Sequence, residues 1–296
     1  NSKRIIIAVV IVGMFSILGI GQDDEEKEIF SQLRHTRRIN AHGDEFTSMD
    51  MSPDKKRLAI GTEKGEVIIW NIENAKIEKQ FHQGRPIHEI VFVGNGSVVV
   101  AGGNHTGTHN CLFGKQDIAT GRFEEWSGAG ADSLMYLSLD ETTGILATAT
   151  LNGYITAWDT ANGKRKALWD AKTTVLGLAV AGSSVYVSRS DIDTSRGLDD
   201  DSEVLGEIVI LSADDPQKST KTFMPKKVGY ATRLRFSPDK KMLAANLFQS
   251  DGPTIGFFDS VTSKQIGSVE GSLNVKWIGN ERVLLSDDEE ALKFCT

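Results

Sequence analysis

The stretch SPDKKRLAIGTEKGEVIIWNIENAK, Ser52 to Lys76, decides the fold. Ser52-Pro53-Asp54 is a type I turn signal, with Pro fixing φ at the first central position. Leu58 to Thr62 follows as a short, largely apolar strand. Lys64-Gly65 then turns the chain into the β-branched run Val67-Ile68-Ile69, which ends in Trp70. A second turn at Glu73-Asn74 leads to another short strand. A meander of this size cannot bury its own apolar faces, so it must stack on copies of itself.

The copies are present. GILATATLNGYITAWDTANGK (Gly144 to Lys164) keeps the strand, turn, strand, turn order around Trp158. RFSPDKKMLAANLFQSDGPTIGFFDSVTSK (Arg235 to Lys264) repeats the SPDKK turn and carries Phe258. Weaker copies run from Val98 to Arg122, Val185 to Ser219 and Arg282 to Thr296. Aligned on the end of the third strand, the markers are Trp70, Gln116, Trp158, Leu211, Phe258 and Phe294, spaced 46, 42, 53, 47 and 36 residues apart. Those spacings bracket the WD-repeat period and not that of helical solenoids. On these residues the chain, from Arg37 to Thr296, resembles the WD40-repeat family of β-propellers.

The resemblance implies an all-β propeller of four-stranded blades. First strands are expected at Phe46 to Met51, Ile87 to Val93, Leu134 to Leu139, Val175 to Val180, Ala231 to Phe236 and Leu273 to Trp277. The last repeat stops at its third strand, and in WD40 propellers an N-terminal strand completes the last blade. Arg37 to Ala41 lies where that strand belongs. Six third strands closed in this way give six blades, with seven as the family's commonest count. The family's hydrogen-bonded set of His, Ser or Thr, Asp and Trp is incomplete here. The first repeat offers His42, Thr62 and Trp70 with Lys64 at the turn; the third offers Asn152 and Trp158. His42 therefore reads as structural, and Trp126, Trp169 and Trp277 as residues packed between blades.

Ahead of the repeats, Lys3-Arg4 precede an apolar run from Ile5 to about Ile20, with Gly19 and Gly21 before Gln22. Residues 1–21 read as a signal peptide or an uncleaved anchor, the run being just short of the roughly 20 residues of a comfortable span. Residues 22–36 read as an acidic linker. Either way the domain at residues 37–296 is expected outside the cytoplasm, in a periplasmic or extracellular setting.

The whole chain carries a net charge of −7. Without residues 1–21 it keeps 31 basic against 40 acidic residues, a net charge of −9. That balance argues against a phosphate-neutralising nucleic-acid interface and an anionic membrane surface, and fits a solubilising acidic surface. The two cysteines, Cys111 and Cys295, fall on third strands of the second and sixth repeats. A bridge needs Cα atoms within about 7 Å, so both are expected to be reduced.

The candidate chemistry is sparse. Asp191 to Glu203 (DIDTSRGLDDDSE) interrupts the fourth repeat between its second and third strands. Asp191, Asp193, Ser195 and Asp199 stand at positions 1, 3, 5 and 9 of a calcium-loop pattern, which Arg196, Gly197, Ser202 and Glu203 then depart from. The competing reading is a solvated acidic loop. His105 and His109 share a Gly/Thr-rich loop with no third ligand to complete a metal site. Asp117 to Gly121 and Asp159 to Lys164, each followed by a Trp, resemble turns of quinoprotein propellers. The Trp spacing of 9 and 10 residues departs from that pattern, so these are type I turns with Gly in the left-handed region and no quinone is expected. No nucleophile elbow, phosphate loop or zinc-protease motif is present.

Three functions follow from the resemblance. The first is a non-enzymatic, monomeric scaffold, without catalytic residues or a bound cofactor, that takes protein or peptide partners on its loop faces. The loops nominated are Ser190 to Leu205 and the Gly-rich Asn95 to Asn110. The second is an enzyme or a ligand or metal binder using the central funnel. The third is an envelope component resembling the Tol-system propeller, resting on export and the SPD turns.

Overall fold

Runs such as Val67-Ile68-Ile69 and Val98-Val99-Val100 are β-branched and stop at turn residues within a few positions, so the chain extends. The computed structural model describes residues 45–103, 111–127, 134–150, 153–191, 205–218, 221–249, 252–270, 274–278, 280, 282–286 and 292–295. Every regular element among them is a β-strand. No helix among them is long and apolar enough to cross a membrane. The expected leader, linker, closing strand Arg37 to Ala41 and His42 lie outside the described residues.

The strands form six antiparallel sheets in chain order. The first holds β1 (Phe46–Met51), β2 (Arg57–Thr62), β3 (Glu66–Asn71) and β4 (Lys76–His82). The second holds β5 (Ile87–Val93), β6 (Ser97–Gly103), β7 (Cys111–Asp117) and β8 (Phe123–Glu125). The third holds β9 (Leu134–Asp140), β10 (Ile145–Thr150), β11 (Tyr154–Asp159) and β12 (Lys164–Asp170). The fourth holds β13 (Thr174–Ala181), β14 (Ser184–Ser190), β15 (Leu205–Ser212) and β16 (Lys221–Val228). The fifth holds β17 (Tyr230–Phe236), β18 (Met242–Gln249), β19 (Gly252–Asp259) and β20 (Gln265–Glu270). The sixth has three described strands, β21 (Asn274–Ile278), β22 (Arg282–Ser286) and β23 (Leu292–Cys295).

The six first strands stand within a residue of their expected bounds. The third-strand markers also fall in register. Trp70, Gln116, Trp158, Leu211 and Phe258 are each penultimate in their strand. They pair with Leu58, Val98, Leu146, Val185 and Leu243, each the second residue of its own strand. Only the sixth sheet departs, by one position: Phe294 pairs with Leu284, the third residue of β22. Because side chains alternate along a strand, a shared register puts the same repeat position on the same face in every sheet.

Clusters of buried side chains join neighbouring sheets. Ala59, Val67 and Ile69 of the first sheet meet Ile90, Phe92 and Val98 of the second. Phe113 and Trp126 of the second meet Leu146 and Trp158 of the third. Val175 and Val187 of the fourth meet Ala147 and Ala157 of the third. Ala245 and Phe258 of the fifth meet Ile208 and Phe223 of the fourth. Ala244 and Ile255 of the fifth meet Val283 of the sixth. The other face of the first sheet is buried too, at Leu58, Ile60 and Ile68.

One expectation needs correcting. Within the nominated loop Asn95 to Asn110, Ser97–Gly103 is a strand, β6, buried over most of its length. Its glycines mislead because they serve close packing: a Cβ on Gly102 would meet the Pro86 carbonyl oxygen at 2.1 Å. The other insertion stands where expected, between Ser190 at the end of β14 and Leu205 at the start of β15.

Candidate functional site

The first strands β1, β5, β9, β13 and β17 together line one cavity of about 310 Å³. Its wall follows from the register. Met51, Phe92, Leu139, Val180 and Phe236 sit opposite the marker-pairing residues just named. Three positions before each stand Ser48, Glu89, Tyr136, Gly177 and Arg233, and all five line the cavity. One repeat position thus contributes a hydroxyl, a carboxyl, a phenol, a gap and a guanidinium. Arg235 adds a second guanidinium.

Bulges turn this position inward. The pairing skips Thr47, His88, Met135 and Leu176, the residue just before the ring position in each of the first four sheets. A bulge kinks its strand and re-aims the next side chain. In β17 the irregularity falls between Thr232 and Arg235, and Arg233 itself has φ +48°. The other described non-glycine residues with positive φ, such as Lys55 and Lys240, sit in turns. Such a backbone costs about 1–3 kcal/mol for a non-glycine residue. Gly177 lets β13 approach this bulge: a Cβ there would stand 3.1 Å from the Arg233 nitrogen.

Charge is unevenly held in the cavity. Burial pushes the Glu89 carboxyl up to about 7, against the pull of Arg235; the nearby Asp50 raises it further and Arg233 lowers it. Burial also raises the Tyr136 phenol, helped by the Glu89 charge and opposed by Arg233. Two positions beyond the ring, the same strands tie sheet to sheet. Asp50 Oδ2 accepts from the Phe92 N–H at 2.8 Å, and Ser138 Oγ from the Val180 N–H at 3.1 Å.

The turns after the first strands form a second polar layer. Ser52 Oγ donates to Asp54 Oδ1 at 2.7 Å and accepts from the Arg57 N–H at 2.9 Å. The Asp54 N–H donates to Asn95 Oδ1 of the next sheet at 3.1 Å. Ser237, Asp239, Met242 and Asn280 repeat this network, at 2.7, 3.0 and 3.1 Å. In the third sheet Asp140 is buried and accepts from Thr142 Oγ1 at 2.5 Å and from the Gly182 N–H at 2.9 Å. Burial works to raise its carboxyl, but those donors and Lys240 outweigh it and hold it below the usual carboxylate range. Lys240 Nζ, from the fifth sheet, lies 3.9 Å from Asp140 Oδ2 and so spans the fourth.

Of the residues nominated from the sequence, none of the described ones lines this cavity. Thr62 Oγ1 accepts from the Glu66 N–H at 3.0 Å and closes its hairpin; Thr150 does the same for Tyr154 at 3.1 Å. Lys64 is exposed in that turn and Trp70 is half-buried. Trp158 is fully buried, and its Nε1 donates to Thr148 Oγ1 at 3.1 Å, a partner that sequence reading missed. Trp126 is buried, while Trp169 and Trp277 are partly buried against the clusters, so the packing roles hold. Asp117 and Asp159 cap their turns, with Gly121 at φ +74° and Gly163 at +66°. Cys111 opens β7 half-buried. Of the calcium candidates, Asp191 is exposed at the end of β14; Asp193, Ser195 and Asp199 lie outside the described residues, as do Asn152, His105 and His109. No group of three or more metal-ligating side chains occurs among the described residues. The ring itself carries a sequence signal that sequence reading passed over: Ser, Glu, Tyr, Gly and Arg three residues before the apolar residue that faces the marker partner in five first strands.

No protein-family model matches the chain. A stretch of 49 residues is 41% identical to anaphase-promoting complex subunit 4 of Dictyostelium discoideum, covering 16% of this chain. The match spans only 6% of that protein's length.

Proposed function

We propose that the chain is a non-enzymatic protein-interaction scaffold, a WD40-like propeller of six blades closed by Arg37 to Ala41 and exported from the cytoplasm. The successive four-stranded sheets support the architecture. So does the burial of both faces of the first sheet, which an open stack would leave wet on one side. The similar stretch in a protein named as a subunit of a complex fits protein partners in general.

The observation that carries the reading is the set of turns locked within and between sheets: Ser52–Asp54–Asn95, Asp140–Gly182 and Ser237–Asp239–Asn280. A loop face held in one conformation gives up little entropy when a partner docks. The test is capture of partners on the full chain carrying a C-terminal affinity tag, read by quantitative mass spectrometry. A defined protein should be enriched, displaced by excess untagged chain, and weakened in Asn95→Ala/Asn280→Ala. A calcium-chelated arm probes the Asp191 loop, and N-terminal sequencing from Gln22 probes cleavage. Recovery of no protein beyond a folded β-sheet control sinks the scaffold reading. Ligand binding in the funnel is a second reading, favoured by the polar ring.

A further inference from the structure

We propose that the axial cavity is a binding site for a small organic carboxylate, with Arg233 and Arg235 as its anion ligands and Met49, Leu137 and Leu178 as its apolar wall.

Four observations lead there. First, the ring position recurs three residues before Met51, Phe92, Leu139, Val180 and Phe236 in five first strands and is varied in chemistry. A position kept for packing would repeat a size; this one runs from glycine to arginine on five neighbouring strands. Second, Arg233 holds a left-handed backbone inside a strand, where glycine would sit without strain. An arginine retained at such a place points to a use for its side chain. Third, two guanidiniums share this cavity in a chain whose net charge is −7, so the axis is a local sink for anions in an acidic protein. Guanidinium forks match planar carboxylates in a bidentate manner. Fourth, the cavity of about 310 Å³ stands at the lower end of the range for small-molecule sites, roughly 300–1,000 Å³, and has aliphatic surface beside the charges.

Glu89 decides which anion fits. The groups facing it are Arg235 and Arg233 from β17, Asp50 from β1 and Tyr136 from β9, while β13 presents uncharged Gly177 and Leu178. Protonated, Glu89 does not compete with the ligand for the arginines and offers a hydroxyl donor. Ionised, it competes for them. With Asp50 set against the two guanidiniums, the site around a protonated Glu89 carries one surplus positive charge, which matches a monoanion better than a phosphate dianion. Binding and Glu89 protonation are therefore linked, and affinity should fall as pH rises through about 7.

The test is calorimetric titration of the purified full chain at pH 6.0 and pH 8.0 with formate, propionate, benzoate and succinate. Benzamide serves as the uncharged control and inorganic phosphate as the competing anion. At least one carboxylate should bind, and benzamide should not. One linked proton at a pKa of about 7 makes binding about tenfold weaker at pH 8.0 than at pH 6.0. Glu89→Gln should bind with no such pH dependence. Arg233→Gly relieves the backbone and so should fold at least as well, yet lose at least tenfold in affinity. Failure of all four acids, equal binding of benzamide, or unchanged affinity in Arg233→Gly overturns the site. Tighter binding of phosphate than of every acid overturns the carboxylate assignment.

Discussion

The wedge between the second and third sheets and the axial wall are built from the same repeat, and they spend it differently. In the wedge, Phe113 lies 4.8 Å from Trp158 and 5.4 Å from Trp126, and the two indoles stack at 6.3 Å. Chemistry there is subordinate to volume. The polar marker Gln116 is buried on the opposite face of β7, toward the first sheet, with its Oε1 accepting from Gln83 Nε2 at 2.8 Å and its amide donating to the Asp117 carbonyl. Along the cavity wall the reverse holds: one repeat position carries Ser48, Glu89, Tyr136, Gly177 and Arg233, and its backbone turns left-handed at Arg233. Stability should reside in the wedge and specificity on the axis.

The sharpest way to break that division is truncation in each region. Trp158→Ala removes a fully buried ring and the hydrogen bond to Thr148, and should cost about 3–5 kcal/mol in urea unfolding. Arg235→Ala, on the axis, should stay within about 0.5 kcal/mol of wild type. Comparable losses in the two would show that the axis is part of the core and end the distinction.

What could be read from the sequence divides along the same line. The third-strand markers, first strands and the insertion after Ser190 were legible, because β-branched runs and turn residues are local signals. The glycines of β6 were misassigned to a loop, because Gly102 is explained only by the Pro86 carbonyl that packs against it. The ring was missed for a related reason. Bulges at Thr47, His88, Met135 and Leu176 are properties of strand pairing and leave no mark on one strand alone. Thr148 on Trp158, Gln83 on Gln116 and Lys240 near Asp140 likewise join residues from different strands or sheets. Local periodicity gave the sheets; their meeting places needed the register.

A subtler comparison uses pH. The folded chain holds the Glu89 proton up to about pH 7, against an ordinary value of 4.5, so between those values it binds more protons than the unfolded chain. Stability must then fall as pH rises across that window, by about 1–3 kcal/mol given the solvent reaching the cavity. Asp140 has the opposite sign: its stabilisation is present at neutral pH and lost as pH falls through its lowered folded value. Urea unfolding of Glu89→Gln from pH 4.5 to 8.0 should lack the decline seen in wild type. A decline that survives the substitution would assign it to another group and leave the axial carboxyl ionised throughout.

The smallest effect asks whether equal sequence means equal energy. Ser52 and Ser237 stand in two copies of SPDKK, both buried, each donating to its Asp at 2.7 Å. They accept from Arg57 and Met242 N–H groups at 2.9 and 3.0 Å, and each Asp N–H reaches an Asn of the next sheet at 3.1 Å. Ser52→Ala and Ser237→Ala should each cost about 1 kcal/mol in urea unfolding, since each orphans one buried backbone donor. The two lie in separate sheets, so the double variant should show their sum within about 0.5 kcal/mol. The copies differ in their ion pairs: Arg57 is clamped by Glu78 at 2.7 and 2.8 Å, where the fifth sheet has Met242 with Lys241 Nζ 3.6 Å from Asp239 Oδ2. A larger loss at Ser237 would mean that the half-buried Arg57–Glu78 ion pair holds the first turn when the hydroxyl is gone. Equal losses would mean that the turn's own hydrogen bonds set its stability and that the repeat is an energetic unit as well as a geometric one.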